Sequence, residues 1–265
     1  MKGFLPWLGG KSQLASMIIG YIKQIDHMCY IEPFCGAAHV FFCKEPSKVE
    51  VLNDINSDLT TLFRVLQNHL EEFLRYFKWI LVSREEFERI NSQNPESLTD
   101  IQRAARFYYL QKLSFGGKVT GRSFGTSTTS PPRLNLLRIE EELSQVHLRL
   151  SRVFIERLSY QKAIEKYDRK HTLLYLDPPY NGHENDYGTG LFTKDDFDTL
   201  SSILSSIEGR FILSLNGTKP VRKIFKRYYM KSVSVRYSVG RNEKSKKHPE
   251  LLISSIDLEN LPDRS

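Results

Sequence analysis

The run Thr172-Leu173-Leu174-Tyr175-Leu176 is followed at once by Asp177-Pro178-Pro179-Tyr180, and this junction restricts the fold more than any other stretch of the chain. The apolar run reads as a buried strand. The prolines have no amide hydrogen to give a sheet, so the chain must leave it there. In open α/β sheets, ligands bind beyond the carboxyl ends of the strands. The carboxylate of Asp177 is therefore expected at the working edge of such a sheet.

The same alternation recurs on both sides of the junction. Residues 29–56 hold short apolar runs at 29–31 and 49–52 around a loop and a helix-like stretch, which reads as a βαβ unit. From 153 onward, strands are expected near 153–156, 172–176, 210–215, 232–237 and 251–256, with helices at 160–167, 194–207 and 220–226. The intervening segment is helical in pattern: Leu59, Leu62, Phe63 and Leu66 fall on one face, as do Leu136, Ile139, Leu143, Val146 and Leu150. Within it, residues 114–135 are rich in Gly, Ser, Thr and basic side chains and read as an exposed hairpin or loop. The expected fold is α/β: a Rossmann-like, doubly wound, mostly parallel sheet formed by residues 1–57 and 151–265, with a mainly helical insertion at 58–150. A chain of 265 residues, 40% hydrophobic and 26% charged, suffices for one core with an insertion and is tight for two independent domains.

Composition narrows the classes of function. A formal charge of +7 favours a polyanionic partner, through counterion release, although ordinary basic soluble proteins share it. No apolar run approaches the roughly 20 residues that cross a membrane, and the N-terminal residues are too broken by Gly and Pro for a signal peptide. A soluble, intracellular protein is expected. Cys29, Cys35 and Cys43 match neither a disulfide framework nor zinc-ligand spacing, so no metal is implied. Gly10-Lys11-Ser12 suggests a phosphate loop, but Leu5 stands where that loop needs its first glycine.

What can Asp-Pro-Pro-Tyr do? An exocyclic amine on a nucleobase is a poor nucleophile because its lone pair is delocalised into the ring. Asp177 and the carbonyl of Pro178 offer two acceptors that draw the nitrogen toward tetrahedral geometry and stabilise the charge that develops on it. Tyr180 offers a flat face on which a flipped-out base can stack. On their own, the four residues read equally as a rigid turn. Upstream, Glu32-Pro33-Phe34-Cys35-Gly36-Ala37-Ala38 joins a strand to a helix, where small residues let the backbone approach a ligand. Asp54 lies 18 residues beyond Gly36, near the spacing at which an acidic residue holds ribose hydroxyls. It is also placed to cap a helix beginning near Ile55.

With Trp7-Leu8-Gly9-Gly10-Lys11, the Phe34 loop, the insertion and Asp177-Pro178-Pro179-Tyr180 in this order, the chain resembles the Dam-like, class α (D12) family of DNA N6-adenine methyltransferases over nearly its whole length. The resemblance implies S-adenosylmethionine as cofactor, held by Trp7, Lys11, Phe34, Gly36, Asp54, Tyr160 and Asp177, with Asp177, Pro178 and Tyr180 catalytic. It implies double-stranded DNA as partner and a cytoplasmic enzyme of a prokaryotic or phage-infected cell. Ala38 departs from the family's Phe-x-Gly-x-Gly pattern. Ser159-Tyr160 stands where the family carries Asp-Phe, which passes adenine recognition to backbone groups or to Glu156.

The insertion is where the family carries target recognition, and Lys118, Arg122 and Arg133 suit phosphate and base-edge contacts, unless the segment is a plain solvated loop. Arg241, Lys244, Lys246 and Lys247 form a further basic cluster that either tracks the DNA backbone or is a soluble loop tip. Residues 181–192 are expected to order over the flipped base, and His39 to pack rather than catalyse. Competing readings are methylation of cytosine, of RNA adenine or of protein glutamine, and a binding module that keeps the fold without catalysis. Asp in the first motif position favours adenine within the family, and the intact Asp177, Pro178 and Tyr180 argue against loss of catalysis.

Overall fold

The computed structural model describes residues 3–7, 14–182, 192–236 and 247–261, with 234–236 and 247–249 described by backbone alone. Its centre is a seven-stranded sheet in the order β3-β2-β1-β4-β5-β7-β6. The strands are β1 (Cys29–Glu32), β2 (Val49–Asn53), β3 (Val153–Glu156), β4 (Thr172–Leu176), β5 (Arg210–Asn216), β6 (Tyr229–Arg236) and β7 (Lys247–Ser254). Strands β1 to β5 run parallel. Strand β7 inserts antiparallel between β5 and β6. The expected doubly wound, mostly parallel sheet is thus present, with one reversal that the local pattern does not encode.

Alternation along the strands divides the buried side chains between two faces. Tyr30, Leu52, Leu173, Tyr175, Ile212 and Leu252 join the core on one side. Ile31, Val51, Leu174, Leu176, Leu213 and Ile253 join the core on the other. The second face is covered by α8 (Tyr160–Tyr167), α9 (Lys194–Leu204) and α10 (Lys219–Ile224). Helix α9 stops short of the expected 207 because Ser205 and Ser206 turn their hydroxyls onto the carbonyls of Ser202 and Ile203, competing with continued helix.

The first face is covered by α1 (Ala15–Gln24), α2 (His39–Cys43) and the helices of the segment between β2 and β3. These are α3 (Ser57–Asn68), α4 (Leu70–Phe77), α5 (Arg84–Asn91), α6 (Asp100–Leu113) and α7 (Ile139–Leu150). Asn56 caps α3 through the amides of Asp58 and Leu59. Thr99 and Gln102 form a capping box at the start of α6. These helices bury Phe63, Phe73, Phe77, Phe107 and Leu143 in the same core as Tyr30 and Tyr175 of the sheet, so the helical segment and the sheet share one interior. Among the described residues, no helix is long and apolar enough to cross a membrane.

A buried charge cluster fastens this segment to the sheet. Glu50 of β2 accepts from Lys44 Nζ at 2.5 Å and from Arg149 Nη2 of α7 at 2.8 Å. Arg149 also donates to the carbonyl of Phe41 and lies 3.7 Å from that ring's centre. Burial pushes Glu50 upward, but the hydrogen bonds from Arg149 and Lys44 and the charge of Lys44 outweigh it and hold the carboxyl below its usual value. Removing the carboxylate leaves the buried Lys44 and the partly buried Arg149 without their shared counter-charge. Glu50→Ala is expected to lower the unfolding free energy by about 3 kcal/mol in urea titrations. Because the folded pKa is depressed, the contribution of Glu50 is present above its unfolded pKa and fades as pH falls through the folded one. The gap between wild type and Glu50→Ala should therefore narrow in acid, and an unchanged gap would contradict the assignment.

Candidate active site

Strand β4 ends where expected. Asp177 follows Leu176 and, by alternation, points to the same face as Tyr175. Its Oδ1 accepts from Ser214 Oγ of β5 at 3.0 Å, and Tyr175 Oη lies 3.2 Å from the same hydroxyl. Tyr180 Oη donates to Glu250 Oε2 of β7 at 2.6 Å. Asn181 is held twice by Asn216: its amide donates to Oδ1 at 3.2 Å, and its carbonyl accepts from Nδ2 at 2.8 Å. The motif is thus tied to the sheet at three residues.

Beside it, the loop after β1 turns tightly into α2. Gly36 has φ +48°, and a Cβ there would fall 2.6 Å from Trp7 Nε1, so glycine is demanded twice. Ala38 also takes a left-handed backbone, φ 51° and ψ 40°. The substituted position therefore keeps the conformation that a glycine adopts freely, at the cost of strain. Asn53 clamps the loop from beneath, donating to the carbonyls of Pro33 and Leu158 and accepting from the amide of Leu158. Asp54 does not cap α3, a task that falls to Asn56. Its two oxygens accept instead from the amides of Gly36 and Asn56, both at 2.9 Å. Burial pushes its pKa up, against the pull of those amides.

Two cavities meet at Asp177 and share Trp7, Phe34 and Cys35. One, of about 370 Å³, is lined by Gly36, Asp54, Ser159, Tyr160, Phe192 and Asp196 among others. Phe34 stacks on Tyr160 at 5.1 Å and meets Phe192 edge-on at 5.7 Å, forming an aromatic wall. Ser159 caps α8, accepting from the amide of Lys162, which accounts for a small hydroxyl at this position. Glu156 is engaged through Oε1 with Lys166 and Tyr167, each at 2.5 Å, and is not among the residues lining either cavity. The carboxylate at this wall is Asp196, which accepts from Tyr160 Oη at 2.8 Å and from Thr193. Sequence reasoning missed it, although Thr193 and Asp196 stand at capping-box spacing at the start of α9.

The other cavity, of about 400 Å³, is lined by residues 3–7 and by Glu32, His39, Lys112, Arg133 and Tyr175. Burial pushes Glu32 up to about 8, against the hydrogen bond that Tyr30 donates to it at 2.7 Å. Lys112 of α6, also missed from sequence, is buried with its ammonium 3.5 Å from Glu142 Oε2, and burial lowers its pKa. On a helix whose residues 104–113 are all buried, nothing in the local pattern singles this lysine out. His39 sits against Gly3 at the start of α2, and burial lowers its pKa.

The three basic residues expected to meet DNA separate. Arg133 is exposed and borders the second cavity. Lys118 is exposed after the turn at residues 115–117. Arg122 folds back, its guanidinium 5.2 Å from the centre of the Phe107 ring and its Nε buried without a hydrogen-bond partner, and burial pushes it down to about 10. The segment containing them bridges Ser114 to Phe124 in antiparallel fashion, as a hairpin would. Lys11, residues 183–191 and the basic positions Arg241, Lys244 and Lys246 lie outside the described residues, and Lys247 is described by backbone alone. Phe192, after the loop, is buried.

This geometry agrees with what the chain is similar to. A family model described as D12 class N6 adenine-specific DNA methyltransferase matches residues 7–239. The DNA adenine methylase of Escherichia coli K12 is 27% identical over 273 aligned positions, covering 96% of this chain and 94% of that protein. The DNA adenine methylase of Haemophilus influenzae is 28% identical, covering 95% and 92%. The Type II methyltransferase M.CviBI of Paramecium bursaria Chlorella virus NC1A is 26% identical, covering 86% and 88%. With that family model matching residues 7–239, the chain belongs to the D12 class of N6 adenine-specific DNA methyltransferases.

Proposed function

We propose that this enzyme methylates the N6 amine of an adenine flipped out of double-stranded DNA, at a short or relaxed recognition site, with S-adenosylmethionine as donor. The observation that carries the reading is Asp177: it stands at the end of β4, one oxygen bonded to Ser214, where the two cavities meet.

The cleft beside the Phe34 loop fits a nucleoside. It is concave, walled by Phe34 and Tyr160, and cleared by the missing side chain of Gly36. Trp7, Phe34, Gly36, Asp54 and Tyr160 would hold the cofactor, together with Lys11. The oxygens of Asp54 keep lone pairs beyond those used by backbone amides, enough to accept from ribose hydroxyls. When bound, S-adenosylmethionine supplies a methyl group on a positively charged sulfur. Asp177 and the Pro178 carbonyl accept from the adenine amine and localise its lone pair, and the Tyr180 ring supports the base. Residues 58–150 serve as the target-recognition insertion. Lys118 and Arg133 meet phosphates from its surface, while Arg122 braces the segment from its seat on Phe107.

Incubation with labelled S-adenosylmethionine and mixed-sequence duplex, followed by nucleoside digestion, should yield N6-methyladenine. Asp177→Ala should reduce transfer by about a thousandfold, the scale of losing a main stabilising contact in the transition state, while duplex binding persists in gel shifts. Methylcytosine alone, or methylated RNA with untouched DNA, would overturn the reading. Gly36→Ala should displace Trp7 and weaken S-adenosylhomocysteine binding by about tenfold in calorimetry, on the order of 1.4 kcal/mol. Unchanged affinity would remove this loop from the cofactor site.

A further inference from the structure

Buried polar side chains are unusual in the interior of strands whose neighbours are Leu213, Leu215, Leu251 and Leu252, because their desolvation must be offset by hydrogen bonds. Ser214 is 0% and Glu250 1% exposed. On β5, Ser214 and Asn216 share a face by alternation, and the antiparallel register sets Glu250 of β7 directly opposite Asn216 and Leu252 opposite Ser214. The three polar side chains form one row at the carboxyl end of β5. Each bonds a different residue of the loop after β4: Ser214 meets Asp177, Glu250 meets Tyr180 and Asn216 meets Asn181.

The direction of these bonds follows from counting protons. A carboxylate only accepts, so the single proton of the Ser214 hydroxyl goes to Asp177 Oδ1. Tyr175, 3.2 Å from Ser214 Oγ, must then be the donor in that pair. The chain runs Tyr175 to Ser214 to Asp177, and it fixes the plane in which the carboxylate lies. At Tyr180, a bond from the hydroxyl to a buried acceptor removes rotation and tilt from the ring. We propose that Ser214 and Glu250 are positioning residues for methyl transfer, aiming the Asp177 carboxylate and the Tyr180 ring from strands β5 and β7. The proposal rests on the reading that Asp177 and Tyr180 handle the target adenine.

The test is single-turnover methyl transfer, read beside S-adenosylhomocysteine affinity, duplex affinity and thermal unfolding. Ser214→Ala and Glu250→Ala should each slow transfer about tenfold, the worth of one positioning hydrogen bond, with both affinities within about twofold of wild type. Glu250→Gln retains an acceptor and should recover transfer to within about threefold of wild type. Tyr180→Phe should slow transfer as Glu250→Ala does, and the double variant should be slowed by clearly less than the product of the two single effects, since both remove the bond between them. Tyr175→Phe should add nothing to Ser214→Ala. With 2-aminopurine in place of the adenine in a methylated duplex, Glu250→Ala should change the fluorescence of the flipped base as Tyr180→Phe does. The proposal is overturned if Glu250→Ala costs the same factor in the Tyr180→Phe background as in wild type, or if Ser214→Ala transfers at the wild-type rate. Full transfer by Asp177→Ala and Tyr180→Ala would instead sink the site assignment beneath it.

Discussion

Two missing amide hydrogens set the architecture of the candidate site. At Pro178 and Pro179 the chain has nothing to donate to the neighbouring strands, so β4 ends and the backbone leaves the sheet beside its carboxyl edge. A loop freed from the ladder must find other partners, and the side chains of β5 and β7 provide them at Asp177, Tyr180 and Asn181. The prolines thus exchange backbone pairing for side-chain pairing. Backbone pairing would fix only the course of the chain, whereas these bonds fix the carboxylate and the ring themselves.

The same edge collects the other polar groups because alternation leaves no choice of face. Glu32, Asp177, Ser214 and Glu250 all fall on the side of the sheet whose core includes Tyr30, Tyr175, Ile212 and Leu252. That side is covered by the helices between β2 and β3, so the floor of the candidate site and the helical segment are built against one interior. The face carrying Ile31, Val51 and Leu174 is almost wholly apolar, and only its rim, at Asn53, Tyr160 and Phe192, takes part in the cleft. One face provides the polar side chains of the candidate site, while the other provides the aromatic wall.

Much of this was legible in the sequence because it is local. The strand and its proline stop, the small residues after β1, the acid after β2 and the aromatic at the start of α8 each declare themselves within a few residues. What sequence reasoning missed depends on contacts across the chain. Ser214 reaches Asp177 over 37 positions, and Glu250 reaches Tyr180 over 70, through a strand whose reversal between β5 and β6 leaves no mark on its own periodicity. Lys112 lies in a helix buried nearly all round, where a lysine gives no hint of the cavity it faces. Asp54 was narrowed by elimination: the cap it might have supplied is made by Asn56, two residues on, and its own oxygens secure the Gly36 loop.

The segment between β2 and β3 and the cleft beside the Phe34 loop are joined through the N-terminal residues Pro6 and Trp7. Gln111 of α6, fully buried, donates from one nitrogen to the carbonyls of Pro6 and Gly117, at 2.9 and 2.7 Å. Gly117, at φ +68°, lies so close that a Cβ would meet the Trp7 nitrogen at 3.1 Å. Trp7 in turn occupies the space that a side chain on Gly36 would need and borders both cavities. From the turn at residues 115–117 to the loop after β1 there is therefore no slack: two glycines allow the approach, and one amide group holds it. A shift of that turn by a fraction of an ångström has to be taken up by Trp7, because close-packed interiors transmit displacement rather than absorb it.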